Sequence, residues 1–140
     1  MINGSISCTS KDKIQRTFYY KYTEPLLANP DYELKIYASP DHSDADFFEL
    51  TAKPKNTKQL KIITIKKNND SLYGAKGIPD AAIPELIKLS GFGVCSSSQK
   101  HPEEPNEFRT EEATKVWKRI EQNGNASYDD ATDVYTYMET

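Results

Sequence analysis

LKIITIKKNNDSLYGAKGIPDAAIPELIKLSGFGVCS, residues 60–96, is the stretch whose reading decides the fold. Leu60, Ile62 and Thr64 alternate with Lys61, Ile63 and Ile65, which predicts a strand over residues 59–66. Asn68-Asn69-Asp70-Ser71 breaks it. Leu72-Tyr73-Gly74-Ala75-Lys76-Gly77-Ile78-Pro79 then forms a glycine-bearing loop before residues 80–90, where Ala82, Ile83, Leu86, Ile87 and Leu89 mark one apolar helical face. Pro79 suits a first helical position, while Pro84 predicts a kink or a late start. Gly91 is the expected C-cap, and residues 92–96 the next strand. The unit reads strand, glycine loop, helix, strand.

Three strands precede the loop, over residues 32–38, 46–53 and 59–66, separated by the turn formers Ser39-Pro40-Asp41-His42-Ser43-Asp44 and Pro54-Lys55-Asn56-Thr57. Upstream, residues 4–9 form a short strand. Ser10 can cap a helix with Ile14, Phe18, Tyr22 and Leu26 at fourfold spacing, broken near Pro25 and ended at Asn29-Pro30. Phe18, Tyr20 and Tyr22 also alternate as a strand would. The helix is preferred. Downstream, residues 97–106 read as a loop and Thr110 opens a helix with Glu111 and Glu112 in its first turn and Ala113, Val116, Trp117 and Ile120 on its buried stripe. Gly124 ends it, and residues 126–129 and 134–138 flank Asp130-Ala131-Thr132 as a hairpin. The expected fold class is α/β of the α+β type, residues 1–140 forming one domain around a central mixed, mostly antiparallel sheet flanked by helices.

Composition bounds the function. A 140-residue chain with 36% hydrophobic residues and 28% charged ones carries a core without staples but no membrane-length apolar run. No membrane partner is expected. The net charge of -3, from 18 basic and 21 acidic residues in mixed order, leaves a nucleic-acid partner unsupported. The nearest approach to a basic patch, Lys53, Lys55, Lys58, Lys61, Lys66 and Lys67, reads as a solvated strand face. Cys8 and Cys95 are far apart and outside any paired motif, so both are expected as reduced thiols in a cytoplasmic protein. With only His42 and His101, no histidine-based metal site can be built, and Asp41-His42-Ser43-Asp44 reads as a turn. Asp31-Tyr32-Glu33-Leu34-Lys35 and Ser96-Ser97-Ser98 lack the partners that a magnesium nuclease or a serine hydrolase needs.

The order β-α-β-β-β, glycine loop, α-β-α-β-β resembles that of the GCN5-related N-acetyltransferases (GNAT), over nearly the whole chain and most strongly over residues 60–138. The resemblance implies acetyl-CoA as cofactor. Its pantetheine arm would lie where residues 60–66, through Ile63 and Ile65, part from residues 92–96, and its diphosphate on Gly74, Ala75, Lys76, Gly77 and Ile78. The sequence departs from the family loop, with Gly74 at the basic or amide position and Pro79 at the final small one. Trp117 stands at the position of the family's proton-donating tyrosine, and indole is no general acid. Tyr73 or Tyr128 is the implied donor and Glu49 the implied base. Two functions stay open. One is an acyl-CoA-dependent N-acetyltransferase with a modified site, acting on an amine of a small molecule or protein. The other is a non-catalytic GNAT-like binding or regulatory protein that acts through a protein partner, by way of Tyr19, Tyr20 and the acidic loop of residues 101–107.

Overall fold

The computed structural model describes residues 2–43, 45–102, 104 and 107–138. Its strands are β1 (Ile2–Thr9), β2 (Gln15–Thr23), β3 (Tyr32–Tyr37), β4 (Phe48–Pro54), β5 (Gln59–Lys67), β6 (Gly93–Ser96), β7 (Ala126–Asp129) and β8 (Val134–Tyr137). The helices are α1 (Asp70–Tyr73), α2 (Ile78–Ser90) and α3 (Glu111–Gln122). All described strands join one 8-stranded sheet in the order β1-β2-β3-β4-β5-β6-β8-β7. Only β5 and β6 pair in parallel; every other pairing is antiparallel. The mixed α+β class with a mostly antiparallel sheet is therefore as expected.

Residues 10–29 correct the sequence reading. They hold no helix: Ser10 to Ile14 form a tight turn, closed by Ser10 N–H to Ile14 O at 3.1 Å and Lys13 N–H to Ser10 O at 2.9 Å, and β2 follows. Lys13 sits at φ 68, in the left-handed region. Ser10 caps nothing; its hydroxyl donates to the Asp12 carboxylate and accepts from Arg16. The burial explains the outcome. Phe18, Tyr20 and Tyr22 are buried in alternation, whereas Ile14 and Leu26, the ends of the supposed helical stripe, are 47% and 68% exposed. Period two satisfies the core and period four does not. β2 gains a ladder on both sides, Tyr20 lying opposite Gly4 on β1 and Ile36 on β3.

In register, Tyr22 faces Leu34, Tyr20 faces Ile36, Leu34 faces Leu50 and Ile36 faces Phe48, which makes one apolar surface across β2, β3 and β4. Ala82, Ile83 and Leu86 of α2 and Trp117 and Ile120 of α3 complete the same buried cluster. Each fully buried Leu, Ile or Phe side chain among these is worth about 1.5–3 kcal/mol of transfer free energy. Tyr20 donates to Glu85 of α2 at 2.6 Å, and Trp117 stacks on Tyr135 of β8 with ring planes 18° apart. Tyr20 is thus buried, which corrects its assignment to an exposed aromatic patch; Tyr19 beside it is half-buried. Part of the acidic loop of residues 101–107 lies outside the described residues.

The caps follow the sequence. Gly91 (φ 77) closes α2 with its N–H on Ile87 O at 2.9 Å, and the Thr110 side chain accepts from Ala113 N–H at the start of α3. α2 begins at Ile78 and carries Pro84 inside it, so the late start does not occur. Among the described residues no helix is long and apolar enough to cross a membrane.

Candidate functional site

β5 and β6 pair only from Gln59↔Gly93 to Ile62↔Ser96, while β5 continues to Lys67. The ladder between β4 and β5 slips at the same level: Ala52 pairs with Ile62 and Thr51 with Thr64, which leaves Ile63 as a bulge residue. Beyond Ile62, the side of β5 that faced β6 has no strand partner among the described residues. A gap of about 260 Å³ opens there, with Ile62 to Lys66 on one wall, Ser97, Phe108, Arg109 and Thr110 on the other, and Ala113 and Trp117 of α3 beside them. A bare strand edge of this kind offers N–H and C=O groups to an extended, amide-bearing chain.

The gap shares Ile65, Lys66 and Ala113 with a larger groove of about 650 Å³. That groove is lined by the β1–β2 turn, the end of β5, the loop from Tyr73 to Asp80, and α3. Lys11, Lys13, Lys66, Lys67, Lys76, Lys115 and Arg119 face it, against Asp80 and Glu112. Asp80 is taken up by Arg119, whose Nε lies 3.1 Å from its Oδ2. Lys67 reaches Asp70 at 3.6 Å and Glu112 at 4.0 Å. The remaining excess of ammonium groups gives this groove a positive potential on a chain whose net charge is -3.

The loop glycines have structural tasks. Gly77 N-caps α2 at φ 78, and a Cβ on it would lie 2.2 Å from the carbonyl oxygen of Thr9, so β1 and the start of α2 touch backbone to backbone. Gly74 closes α1 with its N–H on Asp70 O at 2.8 Å, where a Cβ would meet the Asp70 carboxylate. Pro79 removes one N–H from the first turn of α2, and Asp80 places a carboxylate there. The helix N-terminus alone is therefore a poor anion site, and the lysines dominate the electrostatics.

The structure brings some of the expected residues together. Ile63 and Ile65 line the gap, and Ala75, Lys76 and Gly77 line the groove with Ile65. Ile78 is fully buried in the core, and Gly74 is buried at the end of α1. Tyr73 lines the groove, but its hydroxyl donates to Asp46 O at 2.8 Å and accepts from Ala38 N–H at 3.3 Å, tying the β3–β4 connection to α1. Tyr128 stands on β7, and its hydroxyl donates to Asp133 at 2.7 Å. That bond, with burial, pushes its phenol up to about 12. Glu49 lies opposite Lys66 in the β4–β5 ladder and pairs with it at 3.2 Å.

Two buried ion pairs, of whose residues only Arg109 lines the gap, tie down the segment after β6, and no local pattern in the sequence marks either. Lys61 of β5 binds Glu107 at 2.5 Å, and Lys53 of β4 lies 3.5 Å from the same carboxylate. The hydrogen bond from Lys61 leads the causes that hold Glu107 below the usual carboxylate range. Arg109 binds Asp133 at 2.8 Å and also donates to the carbonyls of Asp133 and Ser97. Burial alone would raise the Asp133 carboxyl, but hydrogen bonds from Tyr128, Arg109 and the N–H groups of Lys100 and Gln99 offset it and hold the group far below normal. Together these pairs pin the segment after β6 and the β7–β8 turn beside the gap. The Asp41-His42-Ser43 segment is a turn, with Ser43 N–H on the Asp41 carboxylate at 3.1 Å; Asp44 lies outside the described residues. Among the described residues no group of three or more metal-ligating side chains comes together.

Lys11 and Lys13 were missed because the hairpin turn that carries them was read as helix, and Lys115 and Arg119 because their helix is remote in sequence from the loop. In comparison with known proteins, the chain matches no family model, no curated protein and no solved structure.

Proposed function

We propose that the groove and gap bind an acyl-CoA and that the chain transfers its acyl group to an amine of a small molecule or protein, as the resemblance to the GNAT family implies over residues 60–138; residues 10–29, which hold β2 in place of the expected helix, lend it no support. The observation that carries this reading is the continuity between a lysine-lined groove, suited to the phosphates, and a narrow gap along the bare edge of β5, suited to the pantetheine amides. Transfer needs the free amine to attack the thioester carbonyl, the C–N bond forming as the C–S bond breaks, with the proton lost from the amine nitrogen passing, directly or through water, to the departing CoA thiolate; the rate comes mostly from holding the two in place. Ser97 is the hydroxyl proposed to meet developing charge. It is 4% exposed, lines the gap, and its Oγ makes no hydrogen bond among the described residues. The hydroxyls of Tyr73 and Tyr128 are committed to structural bonds, so neither is kept as the proton donor in this proposal.

Calorimetric titration of acetyl-CoA and of free CoA tests the proposal, with Lys76→Glu as the groove variant. Gly77→Glu would be uninformative, because it disrupts the contact with Thr9. Micromolar binding weakened by Lys76→Glu is the expected result. Absence of binding at millimolar ligand removes the transferase.

A second reading rests on Pro79 and Asp80 at the start of α2, which weaken the helix end where a diphosphate would sit. On that reading the chain keeps the fold without chemistry and acts through a protein partner. Binding of CoA without turnover of any amine in a broad panel would favour it.

A further inference from the structure

The two edges of the sheet are unlike. β7 is 4 residues long, ends on Asp129 and is followed by Asp130, and a short charged edge resists pairing. β1, at the other edge, is 8 residues long and contains no charged residue and no proline. Its ladder with β2 runs from Ile2↔Tyr22 to Thr9↔Gln15 without a bulge. No loop or turn backbone hydrogen bond of the described residues reaches Ile2 to Thr9. Among the described residues the outer side of β1 therefore presents a row of N–H and C=O groups without strand or loop partner from Ile2 to Cys8, while Thr9 at its end is met by Gly77 at the start of α2. Ile2, on the helix-facing row, is 50% exposed.

We propose that β1 pairs antiparallel with β1 of a second copy of this chain, about a twofold axis through Ser5, so that one sheet runs through both copies. The strand itself argues for this occupant. Because it is neutral, an antiparallel copy sets no like charges opposite one another, and it offers nothing to attract a charged partner. With Ser5 opposite itself, Ile2 falls opposite Cys8, Asn3 opposite Ser7 and Gly4 opposite Ile6. Every pair then joins residues of the same face: Ile2, Gly4, Ile6 and Cys8 continue the helix-facing layer, and Asn3, Ser5 and Ser7 the other. The half-exposed Ile2 comes to lie beside Cys8 of the second copy, where water is excluded from it.

Sedimentation of the full chain over a concentration series tests this. It would be run with two variants, one carrying Asn3→Lys, Ser5→Lys and Ser7→Lys together and one carrying Glu at the same three positions. All three side chains are exposed, so the monomer keeps its fold, which thermal melting checks. The native chain should dimerise, each variant alone should dimerise at least about tenfold more weakly, and an equal mixture of the two should recover the dimer through opposite charges. Ser5→Cys reads the register. A residue opposite itself in an antiparallel pair sits about 4.5–5.5 Å from its twin, within disulfide reach, so oxidation should give a covalent dimer. The native Cys8 and Cys95 are buried and stay out of the reaction. A native chain that stays monomeric at near-millimolar concentration overturns the proposal, and so does a dimer that both charged variants leave intact.

Discussion

Arg109, just before α3, and Asp133, just before β8, form an ion pair at 2.8 Å with 3% and 2% of their side chains exposed. The Asp133 carboxylate also receives Tyr128 O–H, Gln99 N–H and Lys100 N–H, and Arg109 also reaches the carbonyl of Ser97. One buried pair thus joins β7, β8, the segment after β6 and the approach to α3. Those segments include one wall of the gap.

Breaking that pair from one side leaves a buried charge alone. Arg109→Met should cost about 3–5 kcal/mol in denaturant unfolding. Asp133 lies at φ 57, which asparagine tolerates, so Asp133→Asn removes the charge and keeps the turn. The native carboxyl titrates far below its unfolded value of about 3.9. Its contribution is therefore complete above that pH and is lost as the pH falls below about 4 towards the folded value. Melting curves between neutral and acid pH should show a steep acid limb in the native chain and a flatter one in Asp133→Asn.

Gly77 and Gly91 share a left-handed φ, 78 and 77, but not their surroundings. A Cβ on Gly91 meets nothing within 4 Å, so Gly91→Ala should cost about 1 kcal/mol of backbone strain alone. On Gly77 it would strike Thr9 O, and Gly77→Ala should cost about 2–5 kcal/mol. Equal losses in denaturant titrations would mean that the β1–α2 contact is not tight.

If CoA occupies the groove, Lys76→Ala and Lys115→Ala should each weaken it about three- to tenfold, and added salt should weaken the native chain in the same direction. Trp117 is the only tryptophan and lines the gap. On the proposed binding mode its emission should change with acetyl-CoA, whose pantetheine would enter the gap, and remain unchanged with inorganic phosphate, which would need only the groove. An unchanged Trp117 signal on saturation with acetyl-CoA would mean that the gap stays empty.

Tyr128→Phe removes one of the hydrogen bonds to the buried Asp133 carboxylate and should lower stability measurably in denaturant unfolding. If, as proposed, Ser97 rather than Tyr128 lies beside a thioester, acyl transfer should be unaffected by Tyr128→Phe and reduced by Ser97→Ala. The opposite ranking of rates in a thiol-release assay would return the donor role to the tyrosine.

Elements with one consistent local signal were legible. Thr110 with Glu111, Glu112 and a fourfold apolar stripe gives α3, and the alternation over residues 32–38 gives β3. The glycine loop lies between β5 and α2 as expected but is shorter than residues 72–79, since Leu72 and Tyr73 belong to α1 and Ile78 and Pro79 to α2, and Gly77 has a task its spacing cannot reveal, because Thr9 lies next to it only in the folded chain. The basic groove was hidden for the same reason: its lysines come from the turn after β1, from β5, from the loop and from α3.

By itself the sequence determined the class of fold, the meander of β3, β4 and β5, the strand-loop-helix-strand unit and the final hairpin. In each of these, pattern, breakers and caps agree, so local free energies all favour one answer. The tertiary structure decided residues 10–29, where Ile14, Phe18 and Tyr22 fit a helix and Phe18, Tyr20 and Tyr22 fit a strand. Local propensity is nearly balanced there, and the ladders that β2 forms with β1 and β3 tip it. It alone also decided which charges meet: Lys61 with Glu107 and Arg109 with Asp133 are separated along the chain and joined in the interior, where a charge must find its partner or not be buried at all.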